Sequence, residues 1–63
     1  MSEEADEIPL EQRQIIFKAV VEAQDGGKSV AESRAAAARQ FSVSEDQVKE
    51  IEREGMDNQW PPL

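Results

Sequence analysis

The chain has 63 residues, 38% of them apolar, with 14 acidic side chains against 7 basic ones, a net charge of −7, and neither cysteine nor histidine. This length allows one small domain, and the lack of Cys and His excludes disulfides, thiolate or imidazole metal ligands, and histidine-based catalysis. The negative charge repels phosphate backbones and anionic lipid headgroups, so neither non-specific nucleic-acid binding nor adsorption to a membrane is expected.

A chain of this size buries only about 60% of the surface its unfolded form exposes. Much of its apolar content is alanine, at 5, 19, 23, 31 and 35–38, which packs closely but buries little area. The larger core candidates are Ile15, Ile16, Phe17, Val20, Val21, Phe41, Val48 and Ile51, with Met56 and Trp60 as further ones. So thin a core makes association, with a protein partner or a second copy, an expected source of stability.

Residues 1–7 are acidic and aperiodic and read as a disordered lead-in, the opposite of the basic start of a secretory signal. No apolar run approaches the roughly 20 residues that span a bilayer. Together with the absence of Cys, this makes a cytoplasmic protein the expectation.

Order is predicted to begin near Pro9, which suits the first position of a helix, with Glu11 at the positive end of the dipole. The first helix, about 9–24, carries a broad apolar face of Ile16, Phe17, Val20, Val21 and Ala23, flanked by Ile15 and Ala19. Asp25-Gly26-Gly27 stops it. Gly26-Gly27-Lys28-Ser29 resembles the end of a phosphate-binding loop, but Glu22 stands where that motif needs its first glycine and no strand precedes it. The segment therefore reads as a helix stop followed by a cap.

Ser29-Val30-Ala31-Glu32 has the form of a capping box and opens a second helix, about 29–41, with Val30, Ala37, Ala38 and Phe41 facing inward. A second box, Ser44-Glu45-Asp46-Gln47, opens a third helix, about 44–54, and Val43 with Val48 forms a hydrophobic staple at its entry. Val48 and Ile51 make its inward stripe. Gly55 reads as a left-handed stop, with Met56 folding back on Ile51. Beyond it, Asp57–Leu63 ends in Trp60-Pro61-Pro62-Leu63, predicted to be an extended tail. The predicted organisation is thus an acidic N-terminus (1–7), an all-α three-helix domain (8–56) and a Trp/Pro tail (57–63).

Two short helices joined through Phe41-Ser42-Val43-Ser44 have helix-turn-helix spacing. The run Ala37-Ala38, Phe41-Ser42-Val43-Ser44, Val48 and Ile51 resembles bacterial helix-turn-helix domains, and Val48–Glu54 is similar to the second helix of the sigma-factor region 4 type. The resemblance covers about residues 30–54. It implies a DNA-binding transcriptional regulator whose contacts come from the exposed start of the third helix: Ser44, Gln47, Lys49 and Arg53. Two departures stand out. Ser42 occupies the turn position that is usually glycine, which makes a left-handed turn costlier. The third helix also sets Glu45, Asp46, Glu50, Glu52 and Glu54 against only Lys49 and Arg53, a net charge of −3 where phosphates would lie.

An enzyme is not expected. With no His, Cys, Thr or Tyr, a nucleophile would have to be a serine without an imidazole base, and Ser29 and Ser44 are already caps. The carboxylates lack calcium-loop spacing, so no metal or other cofactor is implied. The function expected from these residues is a non-catalytic protein-interaction module or small accessory subunit. It would present Glu45, Asp46 and Glu50 to a basic or amphipathic partner and add Trp60, Pro61 and Leu63 from the tail as a docking element. Trp60 has a second role open to it, as a cover for the thin core.

Overall fold

The computed structural model describes residues 8–61. Among these it is all-α, with α1 (Leu10–Asp25), α2 (Val30–Phe41) and α3 (Glu45–Asn58) each packed against the other two. The predicted disordered segment 1–7 and the tail residues Pro62 and Leu63 lie outside the described residues.

Pro9 sits one position earlier than the spacing suggested, as the N-cap of α1 rather than its first helical residue. Its extended ψ of 150° delivers the chain into the helix, and its carbonyl accepts the first helical bond from the Arg13 N–H at 2.9 Å. Both predicted capping boxes are formed. Ser29 Oγ accepts from the Glu32 N–H at 3.1 Å while the Ser29 N–H donates to Glu32 Oε1 at 3.3 Å. Ser44 Oγ accepts from the Gln47 N–H at 3.0 Å, and the Ser44 N–H donates to Gln47 Oε1 at 2.7 Å. Each box satisfies a helix-terminal donor that would otherwise need water.

All three helices end in the same way. A residue with positive φ, namely Gly27 (104°), Ser42 (58°) or Gln59 (54°), reverses the chain. The next N–H then reaches back five residues to a carbonyl: Lys28 to Ala23, Val43 to Ala38, Trp60 to Gly55. This is the Schellman closure, and only the first uses glycine. A side chain in the left-handed region costs roughly 1–2 kcal/mol, so the turns at Ser42 and Gln59 hold against a local penalty. The costlier turn expected at Ser42 is therefore present, and it joins α2 to α3.

The third closure corrects the predicted end of α3. Gly55 is not a stop. It is a buried residue inside the helix, and α3 continues to Asn58, whose side-chain amide donates to the Glu54 carbonyl at 2.8 Å. Gly55 is glycine because Phe17 lies against it: a Cβ there would fall 2.4 Å from Phe17 Cδ1 and 2.5 Å from Cε1. A glycine that admits an aromatic ring and a glycine that ends a helix look alike in sequence. Asp57 and Asn58, read as the start of an extended tail, belong to the helix.

The core consists of Ile16, Phe17 and Val20 from α1, Ala37 and Ala38 from α2, Val48 and Ile51 from α3, and Trp60 from the closing turn. Ile8, Val21, Phe41 and Val43 border it, which includes the Val43 half of the predicted staple. Three expected core residues face outward instead: Ile15 (51% exposed), Val30 (48%) and Met56 (64%). Ile15 falls on the outer edge of an apolar face wider than its neighbours can cover. Val30 is the first residue of α2 and overhangs it, and the inward position one turn later goes to Ser33, which is fully enclosed. Met56 was expected to fold back at a helix end that lies further on.

Ser33 is tolerated inside because its hydroxyl is satisfied twice. It donates to the Val30 carbonyl at 2.8 Å and accepts from Gln24 Nε2 at 3.0 Å, tying α2 to the last turn of α1. A buried polar group left without partners would cost about 1–3 kcal/mol.

Candidate functional site

The side-chain chemistry of this chain is concentrated on α3, and the fold divides its carboxylates into two sets. Val48, Ile51, Glu52 and Gly55 recur at three- and four-residue intervals and form the buried face. Glu52 is therefore carried inward. Arg34 of α2 meets it, with Nε and Nη2 both converging on Oε1 at 3.0 and 2.9 Å, which leaves Oε2 buried without a partner. On the flank facing α1, Arg13 holds Glu54: Nε lies 3.0 Å from Oε1 and Nη2 donates to Oε2 at 3.3 Å, while Nη1 donates to the Ile8 carbonyl at 2.7 Å. One guanidinium thus pins the entry of α1 to α3. These two pairs neutralise two of the acids within the domain.

The second set points outward. Asp46, Glu50, Arg53 and Asp57 follow one another at intervals of four, three and four residues, directly opposite the buried face, and all are exposed. Glu45 and Lys49 are exposed on the flank beside this stripe. None of the six makes an ion pair among the described residues, in contrast to Glu52 and Glu54. The stripe carries three carboxylates and one guanidinium over about 16 Å of helix at 1.5 Å per residue. Next to it, a groove of about 500 Å³ runs between α3 and the start of α1, with Ile8 and Ile51 along its sides and Glu50 and Asp57 on its rim.

Of the residues assigned to partner binding, Glu45, Asp46 and Glu50 are on this solvent-facing side. Trp60 is not. It is 7% exposed, and its ring meets Phe17 edge to face, with centroids 5.9 Å apart and planes at 83°. The left-handed turn at Gln59 swings it onto the core, so its area is committed to stability, and it leaves the partner-binding set. Pro61 is exposed beside Ile15 in a shallow apolar hollow of about 420 Å³, and Leu63 is outside the described residues.

The four candidate DNA contacts separate as well. Lys49 and Arg53 are exposed and unpaired among the described residues. Ser44 and Gln47 have their side-chain oxygens engaged in the capping box, and Gln47 is half-buried in addition. Only the remaining donors, the Ser44 hydroxyl hydrogen and the Gln47 amide, stay available.

Reading the sequence for function missed Arg13, Arg34, Gln24 and Ser33, all of which act between helices. A signal for one of them existed: Glu52 lies four residues after Val48, on the inward side of the helical wheel, and an inward carboxylate calls for a cation from a neighbouring element.

No helix among the described residues is long and apolar enough to cross a membrane, and no group of three or more Asp or Glu among them is arranged to hold a metal ion. Comparison with known proteins yields no family model, curated protein or solved structure that matches the chain.

Proposed function

We propose that the protein is a non-catalytic interaction module or small accessory subunit that presents the outer face of α3 to a partner with a basic or amphipathic surface. The observation that carries this reading is the division of the α3 carboxylates. Glu52 and Glu54 are neutralised internally by Arg34 and Arg13, whereas Asp46, Glu50 and Asp57, with Glu45 beside them, are solvent-facing and without ion pairs among the described residues. A rigid helix holding unpaired charges of mostly one sign steers an oppositely charged partner and raises its association rate more than its final affinity. One form of this activity is the occupation of a cationic, nucleic-acid-binding surface by the acidic helix in place of a phosphate backbone.

A second reading, a helix-turn-helix DNA-binding regulator, draws support from the left-handed turn at Ser42, the buried Ala38 between the helices, and the exposure of Lys49 and Arg53. Electrostatics favour the first reading. Two bases on α3 would have to hold a duplex against the adjoining carboxylates, and the cap occupies much of Ser44 and Gln47.

Titration of the isotope-labelled protein with a synthetic lysine-rich amphipathic peptide, followed by amide chemical shifts, tests the proposal. Shifts should cluster at Asp46, Glu50 and Asp57, diminish as salt rises, and disappear in a Glu50→Lys, Asp57→Lys variant. Shifts scattered over the molecule, or unaffected by the double reversal, would defeat it.

A further inference from the structure

We draw no further inference here: the strongest candidate, the shallow apolar hollow that Ile15 and Pro61 form on the outer side of α1, carries nothing because nothing in the structure shows what covers it.

Discussion

Replacing Gly55 with alanine sets two effects of known sign against each other. In an ordinary helix interior the change is favourable by about 1 kcal/mol, because alanine loses less backbone entropy. Here the new methyl would fall within 2.7 Å of three atoms of Phe17, below any real carbon–carbon contact. Phe17 is 1% exposed and held edge-on by Trp60, so it cannot swing away without disturbing the core. Overpacking of this kind costs about 1–3 kcal/mol. The net expectation is destabilisation of up to about 2 kcal/mol, or roughly 4–8 °C in Tm per kcal/mol for a domain of this size. Gly26→Ala is the matched control: its φ is −81° and its nearest neighbours are 3.5 Å away, so the substitution should stabilise by about 0.4–1 kcal/mol. Urea and thermal unfolding followed by far-UV circular dichroism measure both. The contact also predicts coupling: in a double-mutant cycle with Phe17→Leu, the cost of Gly55→Ala should shrink by about 0.5–3 kcal/mol. A Gly55→Ala protein as stable as the parent or more so, or a cycle without coupling, would refute the packing argument.

Further expectations concern the closing turns, the indole and the internal ion pair. Gln59→Gly and Ser42→Gly should each raise stability by up to about 1 kcal/mol, the relief of the left-handed penalty less the extra entropy of glycine in the unfolded chain. A loss of stability at Gln59 would mean that α3 does not end there. Trp60→Ala should cost about 3–5 kcal/mol, enough to abolish cooperative unfolding in so small a domain. Trp60→Phe should retain most of the fold, and tryptophan emission of the parent should move to longer wavelength on unfolding. Arg34→Ala leaves Glu52 enclosed without its cation and should cost about 1–3 kcal/mol, less than for a fully buried pair because Arg34 keeps about a third of its exposure. Joint replacement of Arg34 and Glu52 by leucine should lie within about 1 kcal/mol of the parent, since the desolvation cost disappears along with the attraction.

Local chemistry made much of this fold legible. Capping boxes at Ser29 and Ser44, the glycine pair after Asp25 and the apolar spacing of Ile16, Phe17 and Val20 each specify structure within a few residues, and these starts and the first stop were read to within about one residue. What went unread depends on contacts between helices. Gly55 carries no local mark that distinguishes a slot for Phe17 from a helix stop, and the misreading displaced everything after it: the end of α3, the position of Met56 and the role of Trp60. Ser33 was passed over because a serine in mid-helix looks solvent-facing until Gln24 is brought beside it. The acidity of α3 was visible in the sequence, but its division into neutralised and outward-facing carboxylates was not, because that depends on Arg13 and Arg34 arriving from other helices. The candidate face was therefore recognised in outline, and the Trp60 tail was assigned to it wrongly.

The most direct test of the functional account is fluorescence anisotropy of a labelled mixed-sequence DNA duplex, titrated with the full chain at low and at moderate salt. The account predicts no binding at either salt, because the outward carboxylates of α3 repel the phosphates that Lys49 and Arg53 would need to reach. Binding at low salt that weakens as salt rises, and that is lost on replacing Lys49 and Arg53 with alanine, would contradict it and make α3 a DNA-reading helix.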